Sequence, residues 1–131
     1  MRSGDSDGPG PILVVDDNAE TSAALVAVLQ LRGYETVAAH DGLDALAQLR
    51  DGLRPSLILL DWMMPNLDGR GFLEKVAADG NLKSIPVVIY SAVGGRFLAR
   101  DVAATLPKSA DPEMLLDVVA RFAERDRRDG P

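Results

Sequence analysis

Leu57-Ile58-Leu59-Leu60-Asp61-Trp62-Met63-Met64-Pro65-Asn66-Leu67-Asp68-Gly69 is the stretch that decides the fold. Consecutive aliphatic residues without polar alternation are the pattern of a strand covered on both faces. Pro65, Asn66, Asp68 and Gly69 then break the run. Asp61 therefore stands where a buried strand emerges, and in open parallel sheets that is the end where ligands bind. An aspartate in such a place commonly just caps the next turn. Its meaning depends on what the rest of the chain brings beside it.

On the N-terminal side, Ile12-Leu13-Val14-Val15 reads as a strand that ends on Asp16-Asp17. Asn18 suits a helix N-cap and Glu20 the favourable first turn. Leu25, Val28, Leu29 and Arg32 mark one helical stripe, and Gly33 is placed to end the helix. Tyr34 to Ala39 reads as a second strand. Asp41-Gly42 turns it into a helix predicted to bury Leu43, Leu46, Leu49 and Leu53, with Arg54-Pro55 as its stop.

On the C-terminal side, a third helix is expected over Gly69 to Asp79, with Phe72, Leu73, Val76 and Ala77 inward. Pro86 to Ser91 reads as a fourth buried strand. Beyond it, Gly94-Gly95 interrupts the chain, and Arg96 to Val102 leaves room for about two helical turns. Ala103 to Leu106 is read as a short fifth strand, ended by Pro107-Lys108-Ser109. Asp111 as N-cap and Pro112 at the first helical position start a last helix, with Met114, Leu115, Val118, Val119 and Phe122 inward. Residues 1–10 read as a flexible tail, 11–125 as the domain and 126–131 as a charged tail.

Strands alternating with helices in this way predict an α/β fold: a flavodoxin-like three-layer sandwich with a five-stranded parallel sheet of order 2-1-3-4-5. In that order the first and third strands are neighbours. Asp16-Asp17 and Asp61 then meet at one edge, although 45 positions separate Asp16 from Asp61.

Composition narrows the classes. A chain of 131 residues, 47% hydrophobic and 26% charged, is one globular domain. The absence of cysteine excludes a disulfide scaffold, a thiolate nucleophile and cysteine-based metal sites. A net charge of −6 argues against direct binding of nucleic acid. No apolar run approaches the ~18 residues of a membrane span, and residues 1–11 resemble neither a signal peptide nor an anchor. A cytoplasmic setting is the default expectation.

Carboxylates gathered at one edge repel one another by about 4 kcal/mol per pair at ~4 Å and an effective dielectric near 20. Either their pKa values rise or a divalent cation binds, and oxygen-only donors favour Mg²⁺. The fourth strand delivers Ser91 to the same edge and the fifth delivers Lys108. An aspartate, a seat for Mg²⁺, a hydroxyl and an ammonium together fit an acyl phosphate formed on Asp61.

Asp16-Asp17 after the first strand, Asp61-x-x-Met64-Pro65-x-x-Asp68-Gly69, Ser91-Ala92 and Lys108 occur in the order found in receiver domains of bacterial two-component response regulators. The chain resembles that family from about Pro11 to Arg125. The resemblance implies that Asp61 accepts a phosphoryl group from a sensor histidine kinase or a histidine phosphotransfer protein. It implies that Asp17, Asp61 and the backbone carbonyl of Met63 ligate Mg²⁺, with Asp16 acting partly through water. Ser91 and Lys108 would hold the phosphoryl group, with Ala92 and Met63 beside them. Signals would pass onward by contact with a downstream protein. His40, the one histidine, is expected in a surface loop and not as a relay residue.

Three departures from the family pattern fall together. Ser91 and Lys108 are only 17 positions apart, which is short by at least about one helical turn, so the helix between the fourth and fifth strands is expected to be stunted or irregular. The aromatic switch residue usual three positions before the lysine is Thr105 here. Ser109 follows Lys108 where the family usually has proline. An atypical output face, a loop around Ala92 to Val102 that shifts on phosphorylation, and a monomeric chain are the corresponding expectations. The competing readings are a receiver segment of a longer hybrid kinase or regulator, a pseudo-receiver that is never phosphorylated, and a haloacid-dehalogenase-like hydrolase. The last wants an acid two positions after its nucleophile, where Met63 stands.

Overall fold

Alternating strands and helices run along the chain as β1 (Ile12–Val15), α1 (Ala19–Leu31), β2 (Thr36–Ala39), α2 (Gly42–Arg50), β3 (Leu57–Asp61), α3 (Gly69–Ala78), β4 (Val87–Ser91), β5 (Ala104–Pro107) and α4 (Pro112–Asp129). The computed structural model describes residues 10–62, 64, 67–91, 103–108 and 111–129, without the side chains of Ser91 and residues 124–129. The expected helix over Arg96 to Val102 and the loop from Ala92 lie outside the described residues.

All strand pairs are parallel, in the order β2-β1-β3-β4-β5. This is the predicted order, and it follows from crossovers of one hand that lay helices on both faces. The central β3 is buried along its whole length. Period-2 alternation divides its neighbours into two cores. Leu13, Val15, Ile58, Leu60 and Ile89 pack against Ala45, Leu46 and Leu49 of α2 and Phe72, Leu73 and Val76 of α3. Ile12, Val14, Leu57, Leu59, Val88 and Tyr90 pack instead against Leu29 of α1 and Leu115, Leu116 and Val119 of α4. Those two cores with the sheet between them make the three layers.

The helix starts are set by side-chain caps. Asn18, Asp41, Asp68 and Asp111 each accept a hydrogen bond from a backbone N–H three residues on, satisfying donors the first turn cannot pair. Gly33, at φ +89°, closes α1 as expected.

Several boundaries differ from the sequence reading. The second strand begins at Thr36 and not Tyr34, and α2 ends at Arg50, where Gly52 at φ +112° turns the chain before Arg54-Pro55 is reached. Leu43 is 54% exposed and Met114 46% exposed, so neither points inward. In α2 the buried stripe is Gly42, Ala45, Leu46 and Leu49, and Leu43 lies off it. In α4 the stripe of Leu115, Leu116, Val119 and Ala123 likewise leaves Met114 aside. Among the described residues no helix is long and apolar enough to cross a membrane.

Candidate functional site

Strand register builds the site. Val15 pairs with Leu60, so the next residues, Asp16 and Asp61, stand side by side where β1 and β3 leave the sheet. Asp61 pairs with Tyr90, and Tyr90 with Leu106. Asp16, Asp61, Tyr90 and Leu106 thus form one row across four strands. Lys108, two residues beyond Leu106, lies just past the end of β5.

Carboxylate oxygens of Asp16, Asp17 and Asp61 lie within 4.8 Å of one another. Asp16 and Asp61 are buried, whereas Asp17 faces solvent. Lys108 Nζ is 3.3 Å from Asp61 Oδ1. That side chain is 30% exposed, so it closes the site from the solvent side without sealing it. Asp16 is held at both oxygens: the Asn18 backbone N–H donates to Oδ1 at 2.8 Å, and the Tyr90 hydroxyl donates to Oδ2 at 2.7 Å. Lys108 Nζ also lies over the Tyr90 ring, 5.4 Å from its centre. Burial, reinforced by the Asp16 charge, the hydrogen bond to Asp16 and the charges of Asp61 and Asp17, pushes the Tyr90 phenol far above its ordinary 10.0. The phenol therefore stays a donor throughout the neutral range.

The donor set suits a small hard cation. It offers carboxylate oxygen only, at one seat, with one side open to water. Behind the site, Tyr90 and Lys108 border a groove of about 400 Å³ that continues between α1 and the start of α4, past Leu25, Pro112 and Leu115.

The predicted residues are thus gathered in part. Asp16, Asp17, Asp61 and Lys108 meet. The backbone of Ser91 ends β4 opposite Pro107, but its side chain, Met63, Ala92 and Ser109 lie outside the described residues. His40 is on the surface, its side chain 78% exposed beside Asp44. Thr105, at the position of the usual aromatic, is exposed. Sequence reasoning missed Tyr90, which it read only as part of the fourth strand from Pro86 to Ser91. The available signal was a tyrosine following Val87, Val88 and Ile89 in a buried strand, since a buried tyrosine hydroxyl needs a partner.

A model of the response regulator receiver domain family matches residues 12–120. The DNA-binding response regulator MtrA of Mycolicibacterium paratuberculosis is 35% identical over 122 residues, covering 89% of this chain and 51% of that protein. The chain thus spans about half the length of the curated relatives it matches. Among solved structures, the Vibrio cholerae chemotaxis protein CheY4 shares 27% identity at a TM-score of 0.79, covering 88% of this chain and 99% of that one. The signal receiver domain of a histidine kinase from Syntrophus aciditrophicus shares 26% at 0.80, covering 91% and 93%. With the family model matching residues 12–120 and relatives of this kind 35% identical over most of the chain, this chain belongs to the response regulator receiver domain family of two-component signalling.

Proposed function

We propose that Asp61 is the phosphoryl acceptor of this receiver, loaded in a Mg²⁺-dependent way by a sensor histidine kinase or a histidine phosphotransfer protein. The observation that carries the reading is the ammonium of Lys108 at 3.3 Å from the buried Asp61 carboxylate, within a cluster of three acids. An Asp61 oxygen attacks phosphorus of the donor phosphohistidine. The O–P bond forms as the P–N bond breaks, and the electron pair leaves with the imidazole nitrogen, which takes up a proton. Lys108 meets the arriving phosphoryl oxygens with a fixed positive charge. Ser91 binds the group once it is in place, with Ala92 and Met63 beside it.

Asp17, Asp61 and the backbone carbonyl of Met63 would hold Mg²⁺, with Asp16 acting partly through water, and the ion's contribution there is to neutralise phosphoryl charge. The domain is not a turnover enzyme: self-phosphorylation and loss of the phosphoryl group are its whole chemistry. It works in the cytoplasm and signals by protein contact, through a face where exposed Thr105 replaces the usual aromatic.

Incubation with Mg²⁺ and acetyl phosphate, followed by intact mass measurement, tests this. Wild type is expected to gain about 80 Da, one phosphoryl group, and Asp61→Asn to gain nothing. An equal gain in both proteins would remove Asp61 from the role, and no gain in wild type would favour a pseudo-receiver.

A further inference from the structure

We infer that Tyr90 is a positioning residue that holds both halves of the site at once: its hydroxyl fixes Asp16, and its ring seats Lys108. This rests on the phosphoacceptor reading of Asp61 given above.

Asp16 is 2% exposed and lies among two further carboxylates. A buried carboxylate in such company costs free energy unless donors satisfy it. Asn18 supplies one and Tyr90 the other, one to each oxygen. A carboxylate has about four acceptor positions, so two fixed donors stop the group from rotating while leaving lone pairs for a water or an ion. The acid is thereby held in one orientation before any cation arrives, which is what an outer-shell partner does for a metal site.

The same side chain reaches the other half. Tyr90 is 5% exposed and sits in the core between the sheet, α1 and α4. Its ring is therefore fixed, and the Lys108 ammonium lies over it at 5.4 Å while standing 3.3 Å from Asp61. A cation over a buried aromatic face is attracted to it, so the ring restrains a long side chain that would otherwise sweep through solvent. The hydroxyl acts on the metal side and the ring on the phosphoryl side. Replacing each separately tells them apart.

Tyr90→Phe removes one oxygen and keeps the ring. Tyr90→Leu removes both. Mg²⁺ binding is followed by titration calorimetry and by the fluorescence of Trp62, the single tryptophan, and phosphorylation by acetyl phosphate is timed across Mg²⁺ concentrations. For Tyr90→Phe we expect Mg²⁺ affinity to fall about tenfold, the lower end for loss of an outer-shell partner, and the rate lost at low Mg²⁺ to return at high Mg²⁺. For Tyr90→Leu we expect the same fall in affinity plus a loss of about fivefold in rate that excess Mg²⁺ does not restore. Tyr90→Met replaces Tyr90→Leu if the latter does not fold. Wild-type Mg²⁺ affinity in Tyr90→Phe overturns the hydroxyl's role, and full recovery of the ring-less variant at high Mg²⁺ overturns the ring's. Either result in a wild type that is phosphorylated leaves the Asp61 reading standing. A wild type that takes no phosphoryl group sinks that reading instead, whatever Tyr90→Phe does to Mg²⁺ binding.

Discussion

Lys108 competes with any cation for Asp61. At 3.3 Å its ammonium offsets part of the repulsion among Asp16, Asp17 and Asp61, and it does so in a partly exposed position where water screens it. Its two roles therefore pull in opposite directions. Lys108→Ala should bind Mg²⁺ several-fold more tightly, because a competing positive charge has left. It should also be phosphorylated about 10²-fold more slowly, because a preorganised charge for the phosphoryl oxygens is gone. Titration and timed mass spectrometry read the two effects separately, and weaker Mg²⁺ binding would show that Lys108 orients Asp61 more than it opposes the ion. The four charged residues of the site were legible in the sequence because each follows a buried strand or closes one. Tyr90 was not. A strand read by itself treats tyrosine as one more β-former, and only the register that sets it opposite Asp61, within reach of Asp16, reveals the hydroxyl's partner.

At the scale of elements, Gly69 at the start of α3 is pinned against Trp62, the residue after Asp61. The Gly69 N–H donates to the Trp62 carbonyl at 3.0 Å. A Cβ on Gly69 would fall 2.7 Å from Trp62 Cε3 and 2.9 Å from Trp62 Cα. Backbone is among the atoms it meets, so the neighbour cannot simply swing away. Gly69→Ala should cost about 1–3 kcal/mol as overpacking, measured by urea denaturation, and should shift Trp62 emission. A stability unchanged within error would mean that the Gly69–Trp62 contact is looser than its distances imply. Helix starts were legible from Asn18, Asp41 and Asp111, since a short polar side chain before an apolar stripe has one obvious use. The inward stripes were less so. Following large aliphatics alone selected Leu43 and Met114, whereas the buried faces include the small residues Gly42, Ala45 and Ala123, the first pressed against Leu67.

For the molecule as a whole, the parallel α/β sheet could be read from alternation, and its order from the few that doubly wound sheets adopt. The segment between β4 and β5, where about two helical turns are expected over Arg96 to Val102, lies outside the described residues. One feature of the sheet reaches furthest. Asp16 follows Val14, Asp61 follows Leu59 and Lys108 follows Leu106 at two-residue steps, while Tyr90 shares their row. Asp16, Asp61, Tyr90 and Lys108 thus spring from the side that packs on α1 and α4, whereas Asp17 follows Val15 on the side that packs on α2 and α3. Leu59→Ala and Leu60→Ala are a matched pair on opposite sides of one strand, and each should cost about 2–5 kcal/mol. Leu59→Ala should also alter Mg²⁺ affinity, and Leu60→Ala should leave it near wild type. Repacking beneath α1 and α4 is thereby transmitted to Asp16, Asp61, Tyr90 and Lys108, and repacking beneath α2 and α3 to Asp17 alone among the four charged residues of the cluster.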